Sequence, residues 1–317
     1  MKLKEIYELF IKLGMENDPR GGTELQRHLD KAKKAYDKLE KGEQKDFDLE
    51  ALTNPYSDTR ILFGAPEKEI KTIMAGIDME TPEVILADRL NEKGKKIDAI
   101  ISHHPEGKAF ANFSDVMHLQ ADLLSAYGVP INIAEGLMGG RISEVARAVA
   151  PANHQRPIDA ARLLDIPFMC AHTVADNMVY AFLKNLMDDK KPETVGDILD
   201  VLKEIPEYKE GAINGAGPCI FAGSPERRTG KIAVTGITGG TEGAKEIYEK
   251  MAQAGIGTTI DMHMSEEHKK EAEKYHINVV IAGHMASDSI GFNLLLDELE
   301  KRGVEVIPVS GLIRVKR

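Results

Sequence analysis

From Ile70 onward, short apolar runs alternate with stretches of helical spacing. Ile70 to Gly76, Ile97 to Ile101, Val129 to Ile133 and Phe168 to Ala171 read as strands. Helices are predicted over 82–92, 114–127, 141–150, 157–165, 174–187 and 194–203. Thr194, with Asp197 three residues on, is a near capping box for the last of these. After Pro206 the pattern restarts. Strands are predicted over 217–222, 231–235, 256–260, 277–282 and 304–309, and helices over 241–253, 265–275 and 289–301. Such alternation implies α/β architecture.

The first 50 residues differ. Residues 23–43 are rich in Lys, Glu, Leu and Ala at helical spacing, with Thr23 as N-cap after a turn at 18–22. They read as a helical hairpin that serves packing or oligomer contact, not chemistry. The charged stretch from Lys203 to Lys209 is the best internal boundary. Three segments follow: a helical extension over 1–50, a first α/β lobe over 51–205 with a helical insertion near 106–168, and a second α/β lobe over 206–317.

Composition narrows the function. The chain has 317 residues, enough for roughly two domains at about 150 residues each. A hydrophobic share of 42% excludes wholesale disorder. A net charge of −10 offers no global field for phosphate backbones, so nucleic-acid binding is disfavoured. Cys170 and Cys219 make no disulfide framework and fit a reducing compartment. No run reaches the roughly 18 apolar residues of a membrane span, and the N-terminus reads as an amphipathic helix, not a signal peptide. A cytoplasmic setting is the expectation.

The candidate chemistry sits at strand ends, where open α/β sheets bind ligands. Ile101-Ser102-His103-His104-Pro105 places two histidines directly after an apolar strand. Both imidazoles reach one site only if the chain turns there; a surface pair is the plainer alternative. Gly283-His284 follows another strand, with Asp288 four residues on. His172 and Asp176 repeat that spacing after the strand 168–171. For Asp288 and Asp176 alike, a helix N-cap is the competing role. Three such junctions make an N/O ligand set without thiolate, suited to zinc, manganese, iron or nickel and compatible with open coordination positions. Thr235 to Thr241 is a glycine-rich turn, and the backbone at Gly236, Gly239 and Gly240 could receive an anion, although a tight turn is the commoner explanation. Met138-Gly139-Gly140-Arg141 is a weaker candidate of the same kind.

The segments NPYSDTRILFG, IKTIMAGIDMETPEVI and IDAIISHHP, followed by AHTVAD, KIAVTGITGG and IAGHMASDSIGFNLLLDELEKRGVEVIP, occur in that order between 54 and 308. This chain therefore resembles the Nif-three-like family, also called GTP cyclohydrolase 1 type 2 homologues. The resemblance implies a two-lobed α/β protein with a dinuclear metal site between its lobes, and ring-like homo-oligomers, typically hexamers. Carried over by motif, the ligands are His103, His104, Asp176, His284 and Asp288. The family usually has Glu at the position of Asp288, and the stretch from His104 to His172 is longer here than in the family. The family often has a further His before the final Gly-His strand; His268 fits best, with His263 as the alternative. The reading that follows is a metal-dependent hydrolase of a nucleotide or phosphorylated small molecule. It would hold two divalent ions, with His268 or His172 as acid/base. The competing class is a non-enzymatic metal-binding or regulatory scaffold.

Overall fold

The computed structural model describes residues 1–317. Nine strands form two sheets. The first contains β1 (Thr59–Phe63), β2 (Thr72–Gly76), β3 (Ala99–Ser102), β4 (Phe168–Ala171) and β9 (Glu305–Val309) in the order β1-β4-β3-β2-β9. β1 runs antiparallel to β4, and the rest are parallel. The second contains β5 (Cys219–Ala222), β6 (Lys231–Gly236), β7 (Ile256–Asp261) and β8 (Asn278–Ile281) in the order β5-β8-β7-β6, with β6, β7 and β8 parallel. The helices are α1 (Leu3–Glu16), α2 (Gly21–Lys38), α3 (Thr81–Glu92), α4 (Gly107–Ala111), α5 (His118–Ala126), α6 (Ile131–Val149) and α7 (Arg156–Leu163). They continue as α8 (Thr173–Lys190), α9 (Val195–Lys203), α10 (Pro206–Ile213), α11 (Ile247–Gln253), α12 (Glu266–Lys274) and α13 (His284–Glu300). None is long and apolar enough to cross a membrane.

Alternation along the strands sets the layers. Ile73 and Ala75 of β2, Ala99 and Ile101 of β3 and Met169 and Ala171 of β4 share a core with α1, α8 and α13. Met74, Ile100, Phe168 and Cys170 face the other way, onto α3 and α7. A third core joins the second sheet to α5, α6, α8 and α9.

Several elements differ from the sequence reading. Residues 129–133 are not a strand: Val129 is buried, and α6 opens at Ile131 behind Pro130. Three aliphatic residues at alternate positions, Val129, Ile131 and Ile133, fit a strand or the approach to a helix equally well. The glycines at 139 and 140 lie inside that helix. Thr23 is inside α2, whose N-cap is Arg20. The helix expected from 241 begins at Ile247. The closing strand β9, from the segment 206–317, pairs with β2 in the first sheet. Helices of the 106–168 stretch share the second sheet's core, and α1 buries Leu3, Ile6 and Phe10 against the first. The capping box at Thr194 and Asp197 is present.

Candidate metal centre

Parallel strands bring their C-terminal ends to one place. β3 delivers His103 and His104, β4 delivers His172, and β8 delivers His284 through Gly283. After Ser102 the chain turns at once. Ser102 Oγ donates to His104 O at 2.7 Å, and both imidazoles swing to one side with centroids 5.2 Å apart. Gly283 has φ 108°, a conformation that favours glycine, and α13 starts directly after it. Asp288 therefore lies in the second turn, four residues behind His284, and is not a cap. Asp176 is likewise inside α8, whose N-cap is His172.

The carboxylates converge on the imidazoles. Asp176 Oδ1 and Asp288 Oδ1 each lie 3.5 Å from His103 Nε2. Asp288 Oδ2 lies 3.4 Å from both His104 Nε2 and His284 Nε2. His172 Nε2 lies 3.8 Å from Asp176 Oδ2. His103, Asp176 and Asp288 are all buried.

Three of these rings are oriented from behind. His103 Nδ1 donates to Ala171 O at 3.2 Å, His104 Nδ1 to Asp78 Oδ1 at 2.7 Å, and His172 Nδ1 to Asp58 Oδ2 at 2.8 Å. Asp58 also accepts the Thr173 hydroxyl at 2.6 Å. Fixing Nδ1–H leaves Nε2 as a lone pair facing the carboxylates. His103 Nε2, Asp176 Oδ1 and both Asp288 oxygens are buried without a hydrogen-bond partner. Acceptors turned toward acceptors at these distances are what a cation resolves. The residues present fit a metal: His103, Asp176 and Asp288 form one candidate group, His104, His284 and Asp288 a second, and His103, His104 and His172 a third.

Without a metal, a proton takes the cation's place at His104. Burial opposes charge on His104, but Asp288 and Asp78 outweigh it and push it up to about 10. Burial would raise Asp288, yet His103, His104 and His284 hold it far below the usual carboxylate range. At Asp176 burial wins and its carboxyl is pushed up to about 6. Burial pulls His284 down to about 4.

The glycine-rich turn borders this cluster. Its carbonyls are held by side chains: Gln120 Nε2 donates to Gly239 O and Thr241 O at 2.7 Å each, Arg141 Nε to Glu242 O at 3.0 Å, and His268 Nε2 to Gly243 O at 2.9 Å. In a trans peptide the N–H points opposite the carbonyl. The amides of Gly240, Glu242, Gly243 and Ala244 therefore face away from these clamps. Gly239 and Gly240 have φ 88° and press on the helices before them; a Cβ on Gly239 would lie 2.9 Å from Gln120 Cγ. A small cavity of about 50 Å³ lies beside the turn, lined in part by Gly236, Thr238, Gly240, His263 and His268.

His268 is not among the cluster's imidazoles. Its Nδ1 pairs with Ser265 Oγ at 2.7 Å and its Nε2 with Gly243 O, so both ring nitrogens are engaged. His263 lies closer in, its ring 4.9 Å from that of His284. Glu242 stands 3.6 Å from His263 and 3.5 Å from His268. Despite burial, those imidazoles and Ser265 hold it down at about 2. Sequence reasoning missed Asp58, Asp78 and Glu242. The strand-end rule was the available signal for Asp78, which follows β2 on the same edge as His103.

No family model matches the chain, and no curated protein matches it. Solved structures do. A NIF3 superfamily protein from Sphaerobacter thermophilus is 27% identical, covering 81% of this chain and 92% of that one, with TM-score 0.69. Reduced HcgD from Methanocaldococcus jannaschii shares the fold at 17% identity, covering 83% of this chain and 93% of that one, with TM-score 0.52.

Proposed function

We propose, from the premise that this chain belongs to the NIF3-like family, that it is a metal-dependent hydrolase of a phosphorylated small molecule such as a nucleotide. The observation that carries this reading is the set of buried, unpartnered ligand atoms on His103, Asp176 and Asp288. His103, His104, Asp176, His284 and Asp288 would hold two divalent ions. Asp288 would serve both candidate groups, because its Oδ1 faces His103 and its Oδ2 faces His104 and His284. Bound in pairs, such ions activate water near neutral pH and polarise a phosphoryl or ring centre.

The chain's own residues supply the rest. Asp78 and Asp58 keep the Nδ1 protons of His104 and His172 in place. His172 Nε2 is then free to accept and return a proton at the cluster. On the other side His263 is the imidazole nearest His284, while His268 holds the glycine turn. The turn's outward amides, those of Gly240, Glu242 and Gly243, would receive the phosphate oxygens, while the Gly236 N–H is taken by the Asp261 carboxylate. The family's ring-like homo-oligomer, a hexamer, and a cytoplasmic setting belong to this reading.

The test is elemental analysis of protein purified without a metal-affinity tag, for wild type and His103→Ala together. About two ions per chain, largely lost in the variant, is the expected result. Nucleotides and simple phosphoesters are then screened for release of phosphate or ring opening. Unchanged metal content in His103→Ala would remove the site; metal without turnover would favour the regulatory scaffold.

A further inference from the structure

Asn177 follows the ligand Asp176 on α8 and is wholly buried. Its amide donates to Gly14 O at 3.1 Å and to Tyr56 Oη at 3.2 Å, with Asp18 Oδ2 at 3.4 Å. Its carbonyl accepts the Thr238 hydroxyl at 2.7 Å. Tyr56 Oη donates to Asp18 Oδ2 at 2.7 Å, and Asp18 is itself gripped by the Nε and NH2 of Arg20 at 2.9 and 2.8 Å. Asp18, Arg20, Tyr56, Asn177 and Thr238 are all buried or nearly so. One carboxamide thus ties the turn between α1 and α2, the ligand-bearing start of α8 and the glycine turn together.

A second line runs beside it. Asn54 Nδ2 donates to Tyr7 Oη and to Thr59 O, both at 2.9 Å, and Asn54 Oδ1 accepts the Tyr56 N–H at 2.8 Å. The segment so fixed carries Asp58, the partner of His172. Packing reinforces both lines: a Cβ on Gly14 of α1 would come within 2.6 Å of Val174 on α8.

We infer that the N-terminal hairpin is a positioning element of the metal centre, acting through Asn177, Tyr56 and Asp18 on Asp176 and the glycine turn. The inference rests on the metal reading above and gives the hairpin a role that its sequence does not suggest. A buried polar network with every member satisfied holds one arrangement of its elements and penalises others. Groups hydrogen-bonded directly to a ligand change metal affinity about 10–100-fold when removed. Asn177 and Tyr56 act one step further out, through the backbone of α8 and the glycine turn, so a severalfold effect is expected.

The experiment is a Co(II) titration of metal-free full-length protein, reading affinity and the visible absorption bands. Tyr56→Phe deletes a single oxygen, so it carries the test if Asn177→Ala fails to fold. Both are expected to weaken Co(II) severalfold and to alter its bands. Thr194→Ala, which removes the remote cap of α9, is the stability control and is expected to change neither. If Tyr56→Phe lowers the melting temperature but keeps wild-type Co(II) affinity and spectrum, the hairpin is merely structural and the inference is wrong. If wild type itself takes up no Co(II), the metal reading falls first and the inference falls with it.

Discussion

At His104, two carboxylates compete with burial for one proton. The carboxylates win, and the imidazole is pushed up to about 10. In the metal-free protein this proton is stabilising below the ordinary histidine value of 6.5, and that stability is lost as pH rises toward 10. A metal ligand must be neutral, so binding at pH 7 has to expel the proton. Calorimetric metal titrations in two buffers of different ionisation enthalpy should report release of about one proton or more, with affinity climbing from pH 6 to 9. Heats independent of buffer would contradict the assignment. Asp58 gives a second check. Asp58→Asn replaces an acceptor by a group that can donate, so His172 loses the partner that fixes its tautomer. Phosphoester turnover should fall about 10-fold or more while bound metal is retained, because His172 carries the proton and is not one of the five ligands. At this scale much was legible. His103, His104, His172 and His284 stand at strand ends, and the two Asp residues follow at helical spacing. Asp58 was not legible, because it reaches His172 only through the antiparallel pairing of β1 with β4, which no local pattern encodes.

The two ligand-bearing helices meet at a glycine. α13 carries Asp288 and α8 carries Asp176, and a Cβ on Gly291 would lie far inside contact distance of Ala175 O. Backbone against backbone is the closest approach two helices can make, and here it brings both carboxylates to His103. Gly291→Ala must spread the helices. Overpacking of this kind costs about 1–3 kcal/mol, seen as a lower urea midpoint. The same displacement should reduce bound metal, which plain destabilisation would not. A variant with full metal content and a shifted midpoint would show that the ligands tolerate the spread. Element boundaries explain why the role of Asp288 stayed open in the sequence. A helix expected from 289 makes Asp288 a cap. The observed helix starts at His284, because Gly283 at positive φ lets the chain leave β8 and turn immediately. The strand expected at 129–133 failed differently. Val129 enters the core of the second sheet just ahead of the helix and Ile133 leans on it from the first turn, while Ile131 is exposed, so no period-two alternation is present.

The two sheets are held to one another by helices and by the last residues of the chain, and that long-range wiring is what the sequence concealed. β9 adds a strand to the first sheet after the chain has built the second, so a boundary near 206 divides the sequence without dividing the cores. From β9 the chain runs back over α13 to α10. Arg317 makes a two-pronged pair with Glu207, NH1 to Oε1 at 2.6 Å and NH2 to Oε2 at 2.7 Å. Glu207 is wholly buried, and Asn293 of α13 donates to the same carboxylate at 2.9 Å. The residues from 203 to 209, which look like a solvated linker, thus contain a buried charge whose partner lies 110 residues away. Next to it, Tyr208 Oη lies 2.9 Å from Ser287 Oγ, beside the ligand Asp288. Removing the guanidinium leaves a buried carboxylate with one amide for company, which is far worse than never burying the pair. Arg317→Ala should therefore lose about 3 kcal/mol in chemical denaturation. Arg317→Ala combined with Glu207→Gln should recover a good part of it, because the stranded charge is gone. If the double variant is no more stable than the single one, lost packing over Phe182 and not charge is what Arg317 contributes. Metal content separates the two scales: the pair fixes α10 and α13 without touching a ligand atom. The single variant should therefore keep its metal while folded, in contrast to Gly291→Ala.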